Sequence, residues 1–230
     1  MFEEVVTRFE NLYAQHADAS FQEDERFPWR NTFFHGPDFK WAHVEHYNTN
    51  PKVEVFHTVV MPWIWQPAPI FGLDLVAIAG NVTMICADFT RTSMDAWEFP
   101  SPLKFKKFED LETRTTPDWA HFFSDDLFLY TPESTEQALE IVDLVYLRRL
   151  NRSYFRFLKA CYSGHFLKNW SSQQSYVENQ RKNTKTFKSL KADVGEEDAR
   201  FFLENVLFPD VKLTAEDLRK VVYSSSLSES

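Results

Sequence analysis

The first apolar pattern in the chain is helical. Phe2, Val5, Val6, Phe9, Leu12 and Tyr13 recur at intervals of three and four, which predicts an amphipathic helix over residues 2–17. Residues 18–27 are polar and read as a loop. From residue 28 the period shortens. Aromatic and β-branched runs at 28–35, 39–48, 52–61, 70–79 and 82–90 alternate with turn signals at Gly36-Pro37-Asp38, Asn48-Thr49-Asn50-Pro51, Pro62–Pro69 and Gly80-Asn81. The Gly80-Asn81 dipeptide reads as a two-residue hairpin connection, and short links between sequential strands imply one antiparallel sheet.

Beyond residue 90 the pattern turns polar, then helical again. A short helix near 117–125, an extended piece at Leu127–Tyr130 and a long helix from Pro132 to about Leu167 with Ser134 as N-cap are predicted. A basic helical stretch at 172–192, broken near Asn183, and a short helix at 196–207 follow. The serine-rich end reads as loosely ordered over 211–230. Strands first and helices later make this an α+β fold with helices layered on a sheet, and no linker divides residues 1–230 into more than a single domain.

Composition narrows the function classes. Only 5 Gly among 230 residues, with no phosphate-cradling loop, argues against nucleotide binding. Cys86 and Cys161 are far apart and lack metal-ligand spacing, so a reduced intracellular protein is expected. No stretch reads as a signal peptide or reaches transmembrane length, so a soluble protein is expected. Charge is unevenly placed: the chain carries −9, yet residues 148–191 hold eleven Lys and Arg against Glu178 alone. Such a segment is the footprint of an anionic partner, and the acidic remainder favours a compact acidic protein or a carboxylated small molecule over nucleic acid.

The candidate chemistry sits in the strands. The run Pro69–Ile78 suits a buried strand except for Asp74, a carboxylate that is costly there unless paired or protonated. A protonated acid is a candidate proton donor; an Asp facing solvent or bonding a turn is the alternative. Glu45 and His57 occupy apolar surroundings on two preceding strands, 12 and 17 residues apart in the series Glu45, His57, Asp74. Adjacent antiparallel strands would bring the three to one sheet face.

Several stretches resemble the ferredoxin-dependent bilin reductases. These are His43-Val44-Glu45, Val55-Phe56-His57, Val60-Met61-Pro62, Pro69–Asp74, Ala87-Asp88-Phe89, Arg114 with Trp119, Gln180–Thr186, Gly195-Glu196 and Val206-Leu207-Phe208. Within that family the phycocyanobilin-forming type is the most similar. The resemblance implies an α/β/α three-layer sandwich, a central antiparallel sheet flanked by helices on both faces, with biliverdin IXα between the sheet and the C-terminal helices. It implies no bound cofactor or metal, electrons arriving singly from reduced ferredoxin, a monomer, and a cytoplasmic or plastid-stromal location with no membrane or nucleic-acid partner. By position it assigns proton donation to Asp74, relay to His57 and D-ring vinyl reduction to Glu45. Arg114 and Lys185 match propionate-holding residues, and Asn183, Thr184, His43 and Thr83 match pocket positions. Thr184 stands where many relatives carry Asp, which leaves the product open between phycocyanobilin and phycoerythrobilin. A bilin carrier or lyase-like chaperone without reductase activity is the alternative function.

Overall fold

The computed structural model describes residues 1–22, 26–66, 68–92, 105–116, 120, 123–125, 127–160, 165–215 and 217–219. Helix α1 (Glu3–Ala14) is followed by strands β1 (Ala19–Gln22), β2 (Arg30–Gly36), β3 (Phe39–Asn50), β4 (Val53–Met61), β5 (Ile70–Ile78), β6 (Asn81–Thr90) and β7 (Phe128–Tyr130). They form one seven-stranded sheet in sequence order, every neighbouring pair antiparallel.

The period-two alternation assigns each strand's side chains to two cores. On one face Ala42, Val44, Phe56, Val60, Phe71, Leu73, Leu75, Ile85 and Ala87 pack under α1 and the helices after residue 135. The apolar stripe of α1 supplies Val5, Val6, Phe9, Leu12 and Tyr13, all buried. Each such side chain removed from water stabilises the fold by about 1.5–3 kcal/mol. The buried Tyr13 hydroxyl meets Thr58 Oγ1 at 2.8 Å, so burying it leaves no unmet polar group. On the opposite face Phe33, Trp41, Tyr47, Val59, Met61 and Ile70 pack under the C-terminal helices. The sheet is thus covered by helices on both sides, as the resemblance implies.

Those helices are α2 (Thr135–Ile141), α3 (Phe155–Ala160), α4 (Phe166–Gln180), α5 (Thr184–Val194) and α6 (Glu196–Phe201). Ser134 caps α2, its side chain accepting from Gln137 N at 3.2 Å. Between α2 and α3 the helix widens into π turns at Val142–Leu147 and Leu150–Tyr154, and α6 continues as a π turn over Phe202–Leu207. The predicted break near Asn183 is real. Asn183 is the N-cap of α5, accepting from Lys185 N and Thr186 N.

Four differences from the sequence expectation have physical reasons. The segment read as a loop at 18–27 contains edge strand β1, which pairs only with β2 and whose four residues are too short a run for the alternation to stand out among polar neighbours. The hairpin loop is Ala79-Gly80, one residue earlier than expected: both have positive φ (48° and 80°), as a type I′ turn demands, and Asn81 pairs with Ile78. The single helix expected over 132–167 is the α2–α3 run ending at Ala160, with α4 beginning separately at Phe166. The C-terminal segment is held at Lys212 and Asp217, because Lys40 Nζ donates to Asp217 Oδ2 at 3.0 Å and to Lys212 O at 2.6 Å. The helix expected at 117–125 falls largely outside the described residues, as do Trp119, Cys161 and residues 220–230.

Candidate active site

Strand register converts the sequence intervals into one row. Glu45 is the cross-strand partner of His57, His57 of Asp74, and Asp74 of Cys86, with Asn31 opposite Glu45 at the other end. Directly opposed residues share a face, so the three predicted groups stand side by side on the face of the C-terminal helices, roughly 5 Å apart at Cβ. The alternation Leu73-Asp74-Leu75 explains the carboxylate in an apolar run: both leucines point into the α1 core and Asp74 points away from it.

Asp74 is not an isolated buried acid. Its Oδ1 lies 2.7 Å from His57 Nδ1, and its side chain is 37% exposed while that of His57 is only 7% exposed. Burial alone would push the His57 imidazole toward neutrality, but the charge and hydrogen bond of Asp74, helped by Glu45, outweigh it and raise its proton affinity. The deeply buried acid of the row is Glu45, whose carboxyl is pushed up from 4.5 to about 7, chiefly by burial, against the attraction of His57 and with the repulsion of Asp74. Two proton-holding groups, Glu45 and His57, therefore stand in succession beside the more open Asp74, with buried Cys86 on its other side. They are coupled through His57, so their protons leave as a set.

His43 lies two residues before Glu45 on the same face. Burial, then the charge of His57, hold it well below the ordinary imidazole range, so it is neutral. Its Nε2 meets Asn31 Oδ1 at 3.2 Å and its ring stacks on Phe33. Both His43 Nδ1 and His57 Nε2 are buried without a hydrogen-bond partner among the described residues. Two orphaned imidazole nitrogens on one face mark a place where a polar ligand atom would be satisfied.

The floor opens toward the β5–β6 hairpin. Val55, Gly72, Asp74, Val76 and Met84 are all partly exposed, a strip of mostly apolar surface beside the titratable row. Helix α4 covers the other end, where the Tyr176 hydroxyl sits 3.1 Å from the position a Cβ on Gly72 would take. Phe208, just after the π turn, lies edge-to-face with His57, with ring centroids 5.7 Å apart.

The remaining predicted residues are more dispersed. Thr83 is the bulged residue of β6, its hydroxyl donating to Val76 O at 3.2 Å. Arg114 donates to Thr83 O at 2.8 Å and to the Thr131 hydroxyl, which fixes its guanidinium at this open end. Thr184 and Lys185 occupy the exposed first turn of α5. Neither Arg114 nor Lys185 hydrogen-bonds to the Glu45–His57–Asp74 row.

Within the basic segment, Arg148 pairs with Asp143, Lys159 with Asp38, Lys191 with Glu196 and Arg181 with Asp210. All four acids lie outside residues 148–191, so the local charge count overstated the free positive charge. Sequence reasoning also gave no role to Cys86, Asp88, Tyr176 or Phe208. Asp88, opposite Gly72, is buried and holds the Ser124 N–H and the Ser124 and Thr90 hydroxyls. Counting residues through the hairpin puts Ile85 opposite Asp74, and only the bulge at Thr83, which shifts the register by one, brings Cys86 there; Tyr176 and Phe208 come from helices whose placement no periodicity fixes.

This chain is similar to known proteins in sequence and to solved structures in fold. The phycocyanobilin:ferredoxin oxidoreductase of Trichodesmium erythraeum is 28% identical over 195 residues, spanning 81% of this chain and 78% of that one. The Synechococcus sp. enzyme of the same name is 24% identical over 194 residues, covering 81% and 77%. The tomato phytochromobilin synthase structure, solved in complex with biliverdin, superposes with a TM-score of 0.67 at 14% identity over 96% of this chain and 88% of that one, a likeness of fold. The ferredoxin-dependent bilin reductase family matches residues 8–209, and this chain belongs to that family of bilin oxidoreductases.

Proposed function

We propose that the protein reduces biliverdin IXα to a phycobilin. The bilin lies over the strip from Val55 to Met84, and the His57–Asp74 pair and Glu45 supply protons. The observation that carries this reading is the cross-strand row itself, with two proton-holding groups and two orphaned imidazole nitrogens facing the C-terminal helices. Each two-electron reduction adds two electrons and two protons to the bilin. Reduced ferredoxin supplies the electrons one at a time, so a bilin radical stands between them. A protonated His57 beside Asp74 delivers a proton to the electron-enriched tetrapyrrole, and Asp74 steadies the imidazolium until it does. Glu45, holding its proton near neutral pH, serves the end of the bilin nearest β3, where vinyl reduction would make phycocyanobilin. Thr184 has no carboxylate to offer the opposite ring, and phycoerythrobilin is the product if Glu45 serves another task.

The propionates meet Arg114 and Lys185. The first-turn N–H groups of α5 add positive potential, an arrangement that favours a carboxylate. An acidic ferredoxin docks on the cations of 148–191 that have no ion-pair partner among the described residues, namely Arg149, Arg152, Arg156, Lys168, Lys182 and Lys188. A carrier or lyase-like chaperone would need the pocket but gains nothing from a coupled acid row. Anaerobic incubation with biliverdin, ferredoxin, its reductase and NADPH, with products separated by chromatography, decides between them. A reduced bilin supports the proposal. Biliverdin bound but unchanged supports the carrier, and no binding defeats both.

A further inference from the structure

Arg181 belongs by sequence to the basic run Gln180–Thr186, yet its side chain turns inward. Its guanidinium donates to Phe208 O twice, from Nε at 2.9 Å and from an η nitrogen at 2.6 Å, and to Glu204 O at 3.0 Å, while Asp210 Oδ1 lies 2.8 Å away. Glu204 and Phe208 carry carbonyls at the end of the π turn Phe202–Leu207, where helical backbone acceptors lose their partners. One planar, always-charged fork therefore closes that end and sets the backbone of Phe208. The Phe208 ring then packs edge-to-face on His57 at 82° and on Tyr176 at 80°, bridging sheet and helix α4.

We propose that Arg181 is a positioning residue for the proton-donating pair: by fixing Phe208, it holds a ring against His57 that keeps water off the imidazole and leaves it turned to Asp74. This rests on the proton-donor reading of His57 given above. A lysine cannot make the same contact, because it lacks the fork that spans the Glu204 and Phe208 carbonyls. The groups around His57 are Glu45 and His43 from β3, Asp74 from β5, Cys86 from β6 and Tyr176 from α4. None of them is altered by a change at Arg181.

The test is the titration of His57, followed by NMR of the imidazole in the bilin-free protein, in wild type, Arg181→Met and Phe208→Leu. Burial and the neighbouring charges displace its proton affinity upward on balance. Admitting water weakens all of these effects together, so both variants are expected to shift the midpoint down toward the ordinary histidine value. A His57 midpoint unchanged in both folded variants overturns the proposal. A changed salt dependence of ferredoxin use with an unchanged His57 midpoint also overturns it, by assigning Arg181 to docking. Phe208→Leu keeps an apolar side chain and the Arg181 bonds to backbone, so it tests the ring even if Arg181→Met does not fold. The readout needs no bilin chemistry, so it stays separate from the biliverdin turnover test of the proton-donor reading.

Discussion

Glu45→Gln isolates the buried acid of the row. Glutamine keeps the shape of the carboxyl group and removes its titration. In the folded protein the Glu45 carboxyl is pushed from 4.5 to about 7, mostly by burial. A group that holds its proton more tightly when folded costs nothing below its unfolded value, and its cost is complete above its folded value. Over the window from 4.5 to about 7 the displacement corresponds to about 3 kcal/mol. Against a typical total stability of about 5–15 kcal/mol that is a large fraction. Glu45→Gln should therefore match wild type within about 1 kcal/mol near pH 4.5 and become more stable than it by about 3 kcal/mol at pH 8. Loss of the attraction between Glu45 and His57 trims the gain. The assay is urea unfolding by far-ultraviolet circular dichroism at pH values from 4.5 to 8.5. A stability difference that stays flat across that range would show that Glu45 is not held protonated by burial.

Three further outcomes follow from named contacts. Lys40→Met leaves the fully buried Asp217 carboxylate without its cation, a loss of roughly 3 kcal/mol, and should release residues 211–219, read as faster limited proteolysis after Asp210. Gly72→Ala forces the Tyr176 hydroxyl, 3.1 Å away from the new methyl, to give by a few tenths of an ångström; it should cost about 1 kcal/mol in urea unfolding and weaken biliverdin binding in an absorbance titration. Ferredoxin association, measured as the ferredoxin concentration for half-maximal bilin reduction, should weaken as salt rises from 50 to about 300 mM, because exposed cations carry the attraction.

Local pattern revealed the α1 stripe and strands β2–β6 because period 3.6 and period 2 are imposed by burial on one face. It missed β1, a four-residue edge strand that pairs only with β2, and it misplaced the hairpin by one residue because Ala79 accepts a positive φ that favours glycine. The row Glu45–His57–Asp74 was legible as three suspicious side chains, but their order of burial was not. Sequence marks Asp74 as the anomaly; register shows it half-open and paired, with Glu45 as the acid that burial perturbs. The charge surplus at 148–191 dissolved in part for the same reason, since Asp38, Asp143, Glu196 and Asp210 reach it only through folding. The inward turn of Arg181 was likewise invisible in a run of basic residues.

The central claim is that the pair His57–Asp74 delivers protons to a bilin. Its most direct test is anaerobic single-turnover reduction of biliverdin by Asp74→Asn, followed by absorbance and electron paramagnetic resonance. Asparagine preserves the shape but leaves His57 without its charged partner across 2.7 Å. The account predicts wild-type biliverdin binding, a one-electron-reduced bilin radical that accumulates, and little final product. Turnover at the wild-type rate with no radical build-up would contradict it.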